Sequence, residues 1–150
     1  MTELLYTRDA DDWEIVQELH VRSGGVWRKV LEAWVRDGAV WKRFHRALLV
    51  NASPLNIVGT RVGGGNVETN ATTVTAEGGS GSYTFVWEIV SQTGDVTAFL
   101  SPTSGPTTVA AANFASGGQQ VSGVIKCVVT DTVTGLSVDS PPITFTLASL

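Results

Sequence analysis

Glu18-Leu-His-Val-Arg-Ser-Gly-Gly-Val-Trp-Arg-Lys-Val30 is followed, at an offset of 14 residues, by Glu32-Ala-Trp-Val-Arg-Asp-Gly-Ala-Val-Trp-Lys-Arg-Phe44. Glu, Val, Arg, Gly, Val and Trp fall in identical columns, and Arg28-Lys29 becomes Lys42-Arg43. A degenerate third copy lies upstream, with Leu5 to Asp9 in the columns of Leu19 to Ser23 and Trp13 in that of Trp27. Trp13, Trp27 and Trp41 thus mark one column of a three-copy array. A short internal repeat means one structural unit used several times.

The unit reads as a β-hairpin. Ser23-Gly24 and Asp37-Gly38 are two-residue turn signals. With each pair at the turn, His20 faces Trp27, Trp34 faces Trp41 and, with Asp9-Ala10 at the turn, Tyr6 faces Trp13. Each hairpin then carries an aromatic cross-strand pair, while Val21–Val26 and Val35–Val40 pair on the other face. A longer, bulged turn shifts these pairs by about one residue. The alternative is helical, since Val26, Val30 and Trp34 keep helical spacing and Lys29 to Glu32 contains no turn residue. Strands are preferred because a period of 14 residues holds two short strands and their turn.

A chain of 150 residues, with 16 glycines, 43% hydrophobic and 16% charged residues, suits an ordered all-β protein of one domain or two small ones. The net charge is −4, and it is unevenly held: residues 1–50 carry eight basic and eight acidic side chains, whereas residues 51–150 carry Arg61 and Lys126 against six acids. Neither half has the basic stripe of a nucleic-acid binder. The single cysteine, Cys127, allows no intrachain disulfide. The first residues lack the basic and apolar regions of a signal peptide, and no run reaches the length of a membrane span. The expectation is a chain folded in a cytoplasm, without membrane insertion.

Composition changes near residue 50, where Trp and Arg give way to Thr, Ser and Gly. Asn51-Ala-Ser-Pro54 reads as a linker between a repeat domain, 1–50, and a second domain, 51–150. Strands are expected over 55–62, 67–76, 83–90, 96–100, 107–114, 121–131 and 143–147, separated by Gly- and Pro-rich turns. Phe85, Trp87 and Ile89 share one face, as do Ile125, Cys127 and Val129. Short strands at this spacing over such a length give an immunoglobulin-like β-sandwich. The expected fold class is therefore all-β: an N-terminal β-hairpin repeat domain followed by that sandwich.

Two resemblances sharpen the reading. Gly79-Ser-Gly-Ser-Tyr-Thr-Phe-Val-Trp87 resembles the B–C loop and C strand of bacterial and phage Ig-like domains of the polycystic-kidney-disease type. Lys126-Cys-Val-Val-Thr-Asp131 with Thr134-Gly135 is similar to their F strand and F–G hairpin. The resemblance implies a core of Val74, Phe85, Trp87, Ile125, Cys127 and Val129, with Val74 in place of the strand-B cysteine. Ile125 stands where a tyrosine corner would need Tyr, so this chain departs from antibody domains there too. The repeat resembles the Gly-Gly-x-Trp-[Arg/Lys] repeats of tail and fibre proteins of tailed bacteriophages, which often precede Ig-like modules. Together these imply a virion structural protein, in the tail, fibre or tail tip rather than as capsid decoration.

No constellation for catalysis stands out. His20 and His45 lie apart, there is no HExxH, nucleophile elbow or phosphate loop, and the acids Asp9, Asp11 and Asp12 lack calcium-loop spacing. Asp95, Asp131 and Asp139 could line one end of a sandwich, though solvated loop acids are commoner. The expectation is no enzyme, no cofactor and no metal. A hairpin unit of this size can hardly bury a core alone. Tyr6, Trp13, His20, Trp27, Trp34, Trp41 and Phe44 are therefore the expected assembly interface, completed by other virion subunits in a homo-oligomeric trimer or ring. The sandwich is expected to face outward, with a host-surface glycan as a weak further ligand. The alternative is a carbohydrate-binding or adhesion module of a bacterial surface protein, in which the tryptophans stack on sugars.

Overall fold

The computed structural model describes the backbone of residues 6–9, 12–15 and 18–150, and the side chains from Glu18 onward except that of Arg43. The described chain is all-β and contains no helix. Strands β1 (Tyr6–Asp9) and β2 (Asp12–Ile15), β3 (His20–Ser23) and β4 (Val26–Lys29), and β5 (Glu32–Asp37) and β6 (Val40–Arg46) form three antiparallel hairpins. Each is a separate two-stranded sheet.

The register differs from the expected one. Tyr6 pairs with Ile15 and not Trp13, His20 with Lys29 and not Trp27, and Trp34 with Arg43 and not Trp41. Val21 pairs with Arg28 and Val35 with Lys42, so the expected Val–Val pairs are also displaced. The turns sit one residue later, on Gly24-Gly25 and Gly38-Ala39. Hairpin turns that match strand twist need φ > 0 at their first central residue. Gly24 and Gly38 both have φ of 60° there, a conformation that Ser23 or Asp37 would hold only at a steric cost. Moving the turn by one residue puts Arg opposite Trp in every copy: Arg8↔Trp13, Arg22↔Trp27 and Arg36↔Trp41.

The sandwich begins earlier than the composition suggests. Asn51-Ala-Ser is not a linker but part of β7 (Leu49–Ser53). There follow β8 (Asn56–Arg61), β9 (Gly65–Glu68), β10 (Thr72–Glu77), β11 (Tyr83–Gly94), β12 (Ala98–Ser101), β13 (Thr107–Phe114), β14 (Gln119–Asp131), β15 (Ser137–Asp139) and β16 (Ile143–Ser149). One sheet runs β12-β13-β10-β7, with β9 also on β13. The other runs β11-β14-β16-β8, with β15 also on β14, and its β16–β8 pairing is parallel. The single strand expected over 67–76 is two, because residues 69–71 interrupt it. There Thr69 accepts from the Ala110 N–H (3.0 Å) and Asn70 from the Val58 N–H (2.9 Å), so side chains replace ladder bonds.

Inward-facing residues of both sheets make one core. Val67, Val74, Leu100, Ala110 and Phe114 come from the first sheet, and Ile57, Trp87, Ile125, Cys127, Val129, Phe145 and Leu147 from the second. Phe85 and Ile89 are half-buried against it. Buried hydroxyls are satisfied internally: Thr72 donates to Pro54 O (2.9 Å) and Thr108 to Pro102 O (2.7 Å). The chain divides into two compact units. One is residues 1–49 with the loops 77–82 and 131–136, and the other is the remainder of the sandwich.

Candidate functional site

Alternation along a strand sets what each hairpin presents. In the second hairpin His20, Arg22, Trp27 and Lys29 share a face, and Val21, Ser23, Val26 and Arg28 the opposite one. In the third, Trp34, Arg36 and Trp41 share a face, and Val35, Asp37, Val40 and Lys42 the other. Trp27, Trp34 and Trp41 are 66%, 49% and 62% exposed, and the four valines are also about half exposed or more. These side chains therefore form no core of their own within one chain. Isolated two-stranded sheets are marginal in water, and contiguous exposed apolar surface marks an interaction site.

The charges on these faces are partly paired. Lys29 donates to Glu18 (2.7 Å), and that hydrogen bond, with the lysine's charge, holds the Glu18 carboxyl below its usual range. Lys42 and Asp37 are 2.7 Å apart, and Arg36 donates to Gly38 O (3.1 Å). Among the described residues Arg22 and Arg28 form no ion pair. Of the other residues expected in the interface, His20 is exposed and Phe44 half-buried, while the side chains of Tyr6 and Trp13 lie outside the described residues.

The end of the third hairpin is anchored in its own unit. His45 is buried, with Nε2 3.1 Å from Val30 O, and the Ala47 N–H donates to Leu31 O (2.9 Å). Arg46 pairs with Glu77 (3.3 Å) and accepts from the Gly79 N–H through its carbonyl (2.9 Å). The same loop meets Asp131, which is fully buried. Its carboxylate accepts from Ser80 N (2.5 Å) and Oγ (2.7 Å), Val133 N (2.9 Å) and Thr134 N (3.0 Å). Burial pushes this carboxyl up, but the bonds from Ser80, Thr134 and Val133 outweigh it and hold the group below its ordinary value.

The three sandwich acids do not converge. Asp131 locks two loops, Asp95 accepts from the Gln120 N–H (2.8 Å), and Asp139 pairs with Lys126 (2.7 Å). Among the described residues no group of three or more His, Cys, Asp or Glu is placed to hold a metal ion. An open depression of about 300 Å³ lies on the β11–β14–β16 sheet, bordered by the hydroxyls of Ser91, Thr93, Ser122, Thr144 and Thr146. Gly123 lies among its lining residues, and a side chain there would strike the Ser91 carbonyl and the Phe145 ring. The local half of the lock, from Asp131 to Val133 and Thr134, has a sequence signal, since Asp-Thr-Val-Thr-Gly135 is the pattern of an Asx-type turn.

Fold and surface together define an all-β protein in which a repetitive hairpin array is followed by a sandwich. No family model matches the chain, and neither a curated protein nor a solved structure matches it.

Proposed function

We propose that the protein is a non-enzymatic structural component of a tailed-phage virion. The hairpin half docks onto other virion subunits, and the sandwich is displayed outward for adhesion to the host surface or to decorate the particle. A tail, fibre or tail-tip position fits the repeat better than a capsid position. The observation that carries the reading is the identical placement of Arg and Trp in three successive hairpins whose described tryptophans are at least about half exposed. Large amphipathic rings left open on marginal two-stranded sheets call for cover by protein. Mass spectrometry of gradient-purified particles from the producing host tests this directly. The protein is expected in stoichiometric amount with tail components, and its absence from particles overturns the reading.

The same exposed rings favour one second reading, a carbohydrate-binding module, because tryptophan faces also stack on sugars. Sugar-dependent quenching of tryptophan fluorescence in a monomeric protein would favour it. An oligomer with its tryptophans shielded favours assembly.

A further inference from the structure

Charge along the hairpin array is segregated. Residues 1–17 carry one basic side chain, Arg8, against five acids, Glu3, Asp9, Asp11, Asp12 and Glu14. Residues 18–50 carry seven basic side chains against three acids, Glu18, Glu32 and Asp37. Residues 1–17 thus carry a net charge of −4 and residues 18–50 one of +4, so the array is self-complementary. The open faces of the second and third hairpins set Arg22 opposite Trp27 and Arg36 opposite Trp41, and both tryptophans stay more than half exposed within one chain.

We infer that the Arg/Trp faces of the second and third hairpins are a docking surface for the acidic first hairpin of a second copy of this chain. Two arguments select this occupant. A partner of one charge sign would suit only part of the array, whereas a second copy offers its acidic hairpin to the basic faces and its basic faces to the acidic hairpin. Among the described residues the outer edges of the two-stranded sheets carry no further strand, and open edges of this kind pair with other chains. The contact pairs carboxylates with guanidinium groups at rings that lose water on docking, which strengthens both the ionic and the apolar contribution.

The inference deepens the docking reading above and rests on it. The experiment uses the full chain and two charge-reversed variants, Arg22→Glu/Arg36→Glu and Asp11→Lys/Asp12→Lys, in analytical ultracentrifugation. The wild-type chain is expected to self-associate at micromolar concentration and to weaken in about 1 M salt, where charges are screened within about 3 Å. Each variant alone sets like charges together and is expected to associate about tenfold more weakly or worse. An equimolar mixture of the two restores opposite charges at both contacts and is expected to recover the wild-type mass. The far-UV spectrum and the melting of the sandwich serve as folding controls. A monomeric wild type, association unaffected by either reversal, or a mixture that fails to recover overturns the inference. None of these results touches the presence of the protein in particles, which decides the docking reading separately.

Discussion

Ser80 and Asp131 are 51 residues apart in sequence, yet the backbone N–H and the hydroxyl of Ser80 donate one to each carboxylate oxygen of Asp131, at 2.5 and 2.7 Å. Val133 and Thr134 complete the set. The loop into β11 and the turn after β14 therefore share one buried anion. Hydrogen bonds to a charged group contribute about 1.5–3 kcal/mol each but are not additive, and removing the acceptor strands buried donors. Asp131→Ala should cost roughly 3 kcal/mol, a fall in Tm of about 10 °C by differential scanning calorimetry. Asp131→Asn should fall between this and the wild type, because one oxygen remains to accept.

The same group gives a pH dependence. Its folded pKa lies below the unfolded value of about 3.9, so on acidification the unfolded chain takes up the proton first. The contribution to stability is complete above the unfolded pKa and is lost as pH falls through the folded one. The Tm difference between the wild type and Asp131→Asn should hold constant at neutral pH and narrow below about pH 4. Parallel Tm curves across that range would count against a charged Asp131 in the native state.

The four tryptophans whose side chains are described divide by environment. Trp87 is 3% exposed and donates from Nε1 to Gly105 O at 2.9 Å, whereas Trp27 and Trp41 are open to solvent. Trp87→Ala should cost about 3–5 kcal/mol, by loss of packing and of that bond. Trp27→Ala and Trp41→Ala should change the stability of the isolated chain by only about 0.5 kcal/mol, yet weaken self-association. Urea unfolding read by circular dichroism separates the two classes. A large destabilisation from either exposed tryptophan would place it in a core.

The sequence disclosed most of the sandwich because burial on one face imposes a period of two. Ile125, Cys127 and Val129 alternate with half-buried residues along β14, and all three are fully buried. The hairpins were legible as units, but their register was not. Ser23-Gly24 and Gly24-Gly25 both satisfy a two-residue turn by composition, and only the backbone angle of the first central residue separates them. That one-residue ambiguity moved every expected aromatic pair. β7 resembles a linker in sequence because Asn51 and Ser53 are its outward positions, and with Val50 and Ala52 only half-buried the apolar alternation is faint. The short β15 has a single half-buried residue and gave no signal. The Asp131 lock depends on Gly79 and Ser80 arriving from a distant loop, a proximity that local patterning does not encode.

Cys127 supplies a last test, because its burial makes it a reporter of opening. The thiol is fully buried, and burial raises its pKa to about 11. Thiolate is the reactive form, so at pH 8 both access and ionisation oppose modification in the native state. Ellman's reagent should leave the folded protein unmodified over the time in which it labels the guanidinium-unfolded chain completely. Because the pKa is raised in the folded state, its contribution to stability is full below the unfolded thiol value and is lost as pH rises from there toward the folded one. Labelling should therefore quicken with pH more steeply than thiolate chemistry alone predicts. Rapid labelling of the folded wild type would show that β14 is not sealed in the core as the packing indicates.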